Sequence, residues 1–203
     1  MKSEKLSIHA QDFNKLQKTL EFLAGYKMAD SDLALMYELL EYREVPRRTM
    51  ILRAGEKCSE FYYIIEGLTR QYYLDLQGRE VTRGFAAEDE FCCSEVRIQC
   101  GQSSAYAIEA LEDCRFLTFR SEILPKLSES RFFIDAYINA LERDLRDRMN
   151  RDSSFLMESA LERYNRFKTE HFNIFDRVKQ VHLASYLGIT PESLSRIRKS
   201  INQ

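Results

Sequence analysis

The chain has 203 residues, a formal net charge of -2 and 44% hydrophobic residues. This length holds one large domain or two modest ones with a packed core, and no apolar run approaches a membrane span. The near-balanced charge argues against a protein that coats nucleic acid over its whole surface, but it permits a basic surface confined to one small domain. Because the N-terminal segment is charged and has no apolar signal-peptide core, we expect a cytoplasmic protein.

The first forty residues show a helical period in two runs. The first run carries Phe13, Leu16, Leu20 and Leu23, and the second carries Leu33, Leu35, Met36 and Leu39. Each set falls on one face of a helix. Asp30 or Ser31 is the expected N-cap of the second helix.

From Tyr42 the pattern changes to short runs rich in β-branched and aromatic residues. These runs are YREVP, TMILR, EFYYIIEG, LTRQYYLDL, REVTRGF, AYAIEAL and CRFLTF. Glycine-containing turns separate them at Ala54-Gly55, Glu66-Gly67 and Gln77-Gly78. Many short strands with regular turns predict a small antiparallel sandwich or barrel, which ends near Phe119.

After Ser121 the helical period returns in a long apolar stripe. Its members recur at steps of four and three: Ile134, Ile138, Leu141, Leu145 and Met149. Such a stripe is either the seam of a two-stranded coiled coil or a face packed on its own domain. We expect the seam, and therefore a homodimer. A further helix is predicted around Phe155, Met157, Ala160, Leu161, Tyr164 and Phe167.

The stretch HLASYLGITPESLSRIRKS, residues 182–200, contains two short helical patterns on either side of Gly188. The glycine can adopt the left-handed conformation of a turn, Thr190 can cap the second helix, and Pro191 fits its first turn. The apolar faces are Leu183, Ala184 and Leu187 on the first helix and Leu194, Ile197 and Ile201 on the second. This spacing predicts a helix-turn-helix. The alternative is an ordinary helical hairpin with a solvated charged face.

The side chains of the second helix that do not belong to its apolar face can form hydrogen bonds with the edges of DNA bases. They are Glu192, Ser193, Ser195, Arg196 and Lys199. An arginine pairs two donors with guanine, and a carboxylate accepts from cytosine. The segment is also locally basic, since Arg177, Lys179, Arg196, Arg198 and Lys199 outnumber Asp176 and Glu192. It therefore predicts binding to double-stranded DNA, and a dimer suits a palindromic site.

The order of barrel, long helix and helix-turn-helix resembles the Crp/Fnr family of bacterial transcription factors. The stretches that carry the resemblance are RAGEKCSEFYYIIEGLTRQYY, ALED at 110–113, ERYNRF and HLASYLGITPESLSRIRK. The resemblance implies an α+β fold with an N-terminal antiparallel β-roll of the cyclic-nucleotide-binding type (a double-stranded β-helix). A long dimerisation helix and a C-terminal helical DNA-binding domain follow. The expected bounds are 1–125 for the sensor domain, 126–150 for the dimerisation helix and 151–203 for the helix-turn-helix domain.

The resemblance also implies site residues and partners. Glu192 and Arg196 fall on the two base-contacting positions of that family's recognition helix, with Thr190, Ser193 and Ser195 beside them. Lys199, nearer the helix end, is expected on phosphate. Glu192 has a second role open to it, because a carboxylate is also favourable at the N-terminus of a helix. The implied partners are DNA, a second copy of the chain and RNA polymerase. The sequence as given has no β-hairpin wing after the recognition helix, so fewer phosphate contacts are expected.

The sequence departs from the family at the ligand pocket. Cyclic-nucleotide binders place Gly-Glu in one loop and Arg-Ser on the next strand, where the arginine pairs with the cyclic phosphate. Here the corresponding residues are Cys92-Cys93 and Ser104-Ala105. A buried phosphate without a charged partner is costly, so we expect no ordinary cyclic AMP binding. The pocket then serves an unidentified small-molecule effector or is a structural remnant.

Other chemistry is sparse. The five cysteines are Cys58, Cys92, Cys93, Cys100 and Cys114, without C-x-x-C spacing, so we expect reduced thiols. A redox or metal role for the three near the pocket is the alternative to small buried thiols. The three histidines are far apart in the sequence and form no catalytic motif, and no nucleotide-binding loop is present. We therefore expect that the protein is not an enzyme and that it holds no metal or certain cofactor. The rival function is a small-molecule-binding or interaction module whose last helices only pack.

Overall fold

The computed structural model describes residues 9–92 and 103–201, and its elements follow the predicted order of helices, strands and helices. The helices are α1 (Ala10–Ala24), α2 (Asp30–Leu39), α3 (Leu124–Leu127), α4 (Arg131–Met157), α5 (Ala160–Glu170), α6 (Gln180–Leu187) and α7 (Pro191–Ile201). The strands are β1 (Glu41–Val45), β2 (Met50–Leu52), β3 (Glu60–Glu66), β4 (Thr69–Leu74), β5 (Glu80–Ala86), β6 (Phe91–Cys92), β7 (Ala107–Ala110) and β8 (Cys114–Arg120). The α+β class is confirmed.

The strands form two four-stranded antiparallel sheets, ordered β1-β8-β3-β6 and β2-β7-β4-β5. All seven predicted runs are strands; the two-residue β6 is too short for a sequence pattern to indicate. The sheets enclose an aromatic and aliphatic core that includes Phe61, Tyr62, Ile64, Ile108 and Phe116. This is the expected β-roll.

The turn between β3 and β4 depends on glycine. Gly67 has a φ of 109°, which L side chains rarely adopt. A Cβ placed there would also lie 2.7 Å from the carbonyl oxygen of Asp113. Any larger residue at position 67 would strain the backbone and press on the neighbouring turn.

The N-terminal helices pack on the roll and on the long helix α4. Leu16 and Leu23 of α1 share a buried cluster with Tyr63 of β3 and Phe132 of α4. The expected N-cap of α2 is wrong: α2 begins at Asp30, the residue before it, Ala29, is the N-cap, and no side chain caps the helix. Acidic residues in the first turn interact favourably with the helix dipole instead.

The long helix extends further than expected. Helix α4 runs for 27 residues to Met157, so the boundary predicted at position 150 lies inside it. Phe155 and Met157 were predicted in the next helix, but they belong to α4. The next helix, α5, starts at Ala160, because Ser159 forms a capping box with Glu162 there.

The three C-terminal helices share a core with the roll. Leu183, Leu187 and Leu194 pack in one buried cluster with Leu68 and Ala87, which belong to the β-roll. The helix-turn-helix is therefore seated on the β-roll. Among the helices of the described ranges, none is long and apolar enough to cross a membrane.

Candidate functional site

The turn of the helix-turn-helix is built around Gly188. Its φ of 69° and ψ of 32° are left-handed and close α6, as predicted. A Cβ at this position would lie 2.6 Å from Cε1 of Phe155, so the end of α4 also packs directly on the turn. Glycine is required here for both reasons.

The second helix is capped as predicted. The backbone N–H of Ser193 donates to Oγ1 of Thr190 at 3.2 Å, and Pro191 is the first residue of α7. Thr190 satisfies an amide that would otherwise lack a partner at the helix N-terminus. The cap fixes where α7 starts and therefore which side chains face outward.

The two helices of the unit cross through buried apolar residues. Ala184, Leu187 and Leu194 are buried at the crossing, as expected. Ile201, the last member of the predicted apolar face of α7, is 43% exposed.

The predicted DNA-contacting residues lie on the outer side of α7. Thr190, Glu192, Arg196 and Lys199 are exposed, and the remaining two, Ser193 and Ser195, are half-buried. The pKa of Glu192 is lowered by hydrogen bonds from its own backbone N–H and from Thr190, and by the charge of Arg196. Glu192 therefore stabilises the helix N-terminus while its side chain remains accessible.

A buried arginine that no sequence pattern indicated, Arg70, lies beneath the first helix of the unit. Arg70 donates to Glu80 at 2.7 Å and to Glu109 at 2.8 Å, and its Nε donates to Thr82 at 3.0 Å. Burial, followed by the charges of Arg70 and Lys179, lowers the pKa of His182 to about 4. Glu109 and Glu80 lie on the two strands that flank β4, so no pattern within one strand of the sequence indicates this cluster.

The structure places the predicted pocket residues in different environments. Cys92 is fully buried on β6, where its Sγ accepts from Thr69 at 3.3 Å. Ser104 is buried and donates to the carbonyl oxygen of Tyr106 at 2.7 Å, whereas Ala105 is exposed. Cys93, like Cys100, lies outside the described residues.

A broad cleft of about 1630 Å³ separates the roll from the long helix. Arg83 of β5 lies in it, with its guanidinium 4.5 Å above the ring of Tyr106 and 3.7 Å from Asp144 of α4. Arg83 also donates to Gln71. The cleft therefore contains an arginine that does not belong to the expected pocket residues. This arginine links the roll to α4 through its contact with Asp144.

The predicted dimer stripe on α4 is largely uncovered in one chain. Ile138, Leu145 and Met149 are 47%, 57% and 61% exposed. Ile134 and Leu141 are half-buried and line the cleft. Repeated exposed apolar residues at this spacing are unfavourable in water unless another surface covers them.

Among the described residues, the other cysteines and the histidine and acidic side chains form no further site. Cys58 and Cys114 are buried, and burial raises the pKa of the Cys114 thiol to about 11, which makes it a poor nucleophile. In the part of the chain with assigned structure, no group of three histidine, cysteine or acidic residues is arranged to hold a metal ion.

Comparison with known proteins agrees with this architecture. Residues 42–131 match the cyclic nucleotide-binding domain family. The chain is similar to FixK2 from Bradyrhizobium japonicum, with a TM-score of 0.69, 18% identity and coverage of 81% of this chain and 85% of that one. It is also similar to CLP of Xanthomonas campestris, described as a c-di-GMP responsive global regulator, with a TM-score of 0.66, 19% identity and coverage of 85% and 92%.

A third similar structure comes from Eubacterium rectale and is described as a putative transcriptional regulator of the crp/fnr family. Its TM-score is 0.70 at 20% identity, and the alignment covers 86% of this chain and 84% of that one. No curated protein matches the chain by sequence. At these identities the structural likenesses establish the fold.

Proposed function

From the premise that residues 42–131 form a cyclic nucleotide-binding domain and that the chain has the fold of the Crp/Fnr regulators, we propose that this protein is a sequence-specific DNA-binding transcriptional regulator. One observation carries the proposal. Helix α7 is capped and buried on its inner side, and it presents Glu192, Arg196 and Lys199 outward. This arrangement fits a recognition helix in the major groove.

The regulator acts as a homodimer through α4 in this proposal. The exposed stripe of Ile138, Leu145 and Met149 supports it, because pairing two such helices would remove these side chains from water. Two recognition helices related by a two-fold axis then read a palindromic site. Their separation must match one turn of DNA, about 34 Å.

The roll is the sensing domain, and it does not bind cyclic AMP in the usual way. Ser104 is buried and bonded to backbone, and Ala105 carries no charge, so neither residue can pair with a phosphate. A different small-molecule effector in the roll would change how the paired α4 helices lie and so alter the separation of the recognition helices. The protein is not an enzyme; it works in the cytoplasm, with RNA polymerase as its partner.

The test is selection of duplexes from a random-sequence pool with the full chain, followed by gel shifts on the selected and scrambled sequences. We expect enrichment of a palindrome with half-sites about one DNA turn apart. Failure to enrich any sequence, with binding no stronger than that of an R196A variant, would overturn the proposal. It would leave the rival function, an interaction module whose last helices only pack.

A further inference from the structure

The first helix of the helix-turn-helix covers the free edge of a sheet. Strand β5 is the edge strand of its sheet, so its outer backbone groups lack a partner strand. Ser185 of α6 supplies one partner: its Oγ accepts from the N–H of Thr82 at 2.9 Å and lies 3.3 Å from the carbonyl oxygen of Glu80. The DNA-binding unit is thus docked through directed hydrogen bonds.

Arg177, three residues before α6, anchors the same docking at a second place. Its guanidinium makes two bonds of 2.8 Å to Glu88. It makes two more to Glu112, of 2.6 Å and 3.1 Å. Glu88 lies between β5 and β6, and Glu112 lies between β7 and β8. One arginine therefore joins two connections of the roll to the helix-turn-helix in a doubly bidentate geometry.

This cluster is stronger than an ordinary surface ion pair. The side chains of Arg177, Glu88 and Glu112 are only 28%, 31% and 34% exposed. Partial burial reduces screening by solvent and salt, and the planar fork of arginine suits two carboxylates. Although burial alone would raise it, the bonds from Arg177 hold the pKa of Glu88 at about 2.

We propose that Arg177, Glu88 and Glu112 form a latch that holds the helix-turn-helix on the roll in a state of low DNA affinity. The inference rests on the proposed function and adds its regulation. Arg177 belongs to the basic segment expected to meet DNA, yet here two carboxylates neutralise it and leave a net negative cluster. DNA phosphates must compete with both carboxylates for this arginine, and they are repelled by the same two groups.

The latch also lies where the roll can act on it. Glu88 is four residues before Cys92, one of the predicted effector-pocket residues, and its carboxylate also accepts from the N–H of Gly67 at 2.9 Å. A displacement of this connection by an effector would pull Glu88 from Arg177. Release would free a cation for phosphate and uncover the edge of β5.

The test uses the full-length E88Q/E112Q double variant, which keeps the shapes of both side chains and removes both charges. Hydrogen exchange without DNA should show faster exchange of the Thr82 amide, because Ser185 no longer stays docked. Affinity for the selected duplex should rise about three- to tenfold. The salt dependence of binding should steepen by about one unit per protomer, because one more phosphate is contacted.

Two controls separate the latch from general electrostatics. E44Q/E122Q removes two exposed carboxylates elsewhere and should leave Thr82 exchange unchanged. R177Q should open the latch, with fast Thr82 exchange, but gain no affinity because the cation itself is lost. E112Q alone should give exchange of the Thr82 amide and duplex affinity between those of the native chain and the double variant. It replaces the double variant in the test if that variant does not fold.

Unchanged Thr82 exchange in E88Q/E112Q overturns the latch, whatever the DNA results. Faster exchange with an affinity gain no larger than that of E44Q/E122Q overturns the inhibitory role while the proposed function stands. If neither the native chain nor any variant binds a duplex, the proposed function fails, and the inhibitory role fails with it.

Discussion

The guanidinium of Arg151 lies 4.6 Å above the ring of Tyr186 and donates to the carbonyl oxygen of Tyr186 at 3.1 Å. Arg151 is near the end of the long helix, and Tyr186 is in the first helix of the helix-turn-helix. The same nitrogen donates to the carbonyl oxygen of Thr82 on the edge of the roll at 3.1 Å. One side chain therefore joins the long helix, the β-roll and the helix-turn-helix.

Replacement of Arg151 by lysine should weaken this junction although the charge is kept. A lysine has no planar group that could stack on the ring of Tyr186. Its ammonium also cannot reach the two carbonyl oxygens in the same geometry. We expect a loss of about 1–3 kcal/mol in the free energy of unfolding, measured by urea denaturation. The matched control is R146K at an exposed position of the same helix, which should change little. Equal stability of the two variants would contradict the role of Arg151.

Charges placed in the stripe of α4 should separate the dimer. I138D/L145D puts two carboxylates into the expected apolar seam, where they would be buried against each other without partners. Sedimentation should give a dimer for the native protein and a monomer for the variant at micromolar concentration. R146D changes the charge one residue beyond Leu145 and should remain dimeric. A native protein that sediments as a monomer would end this hypothesis.

Cyclic AMP should produce no heat in titration calorimetry. No cation stands at Ser104 or Ala105, and the hydroxyl of Ser104 is already bonded to backbone. Binding at micromolar concentration would show that another group pairs with the phosphate. Arg83 in the cleft is the first residue to test in that event, and loss of the heat in R83Q would identify it.

Arg196 and Lys199 should differ in what they contribute to DNA binding. R196A should cost about 1–3 kcal/mol on the selected duplex and much less on a scrambled one, because a directed pair to a base is lost. K199A should weaken both duplexes alike and flatten the salt dependence, as expected of a phosphate contact. Isotherms at two salt concentrations measure both effects. If R196A loses the same affinity for both duplexes, then α7 binds DNA only as a basic surface without sequence preference.

Docking of α6 should weaken in mild acid through His182. Burial and the charges of Arg70 and Lys179 lower its pKa to about 4, and the nearby Glu80 only partly opposes them. A released histidine takes up its proton near pH 6.5, so the stability contributed by His182 is complete above that pH. It is lost as the pH falls toward 4. Melting temperatures at pH 7 and pH 5 should differ more for the native protein than for H182Q. The same decrease in both would show that other groups cause it.

The type and order of the elements, and the local geometry of the helix-turn-helix, follow from short-range patterns in the chain. Alternation, helical spacing and turn chemistry act over a few residues, so the strands of the roll, Gly188 and the cap of Thr190 on α7 are readable without a structure. The errors lie at element ends. The N-cap of α2 and the continuation of α4 to Met157 depend on where the helix caps form, and short sequence patterns do not determine that.

Which charged side chains pair with each other depends on how the elements fold together. Arg177 and Glu88 are 89 residues apart in the chain, and no local pattern distinguishes this arginine from the other cations of the basic segment. Arg70 likewise reads as an exposed strand residue until Glu80, Glu109 and Thr82 surround it. The environment of a charge depends on the elements that fold against it. The seating of the helix-turn-helix on the edge of β5 therefore becomes apparent only in the folded chain.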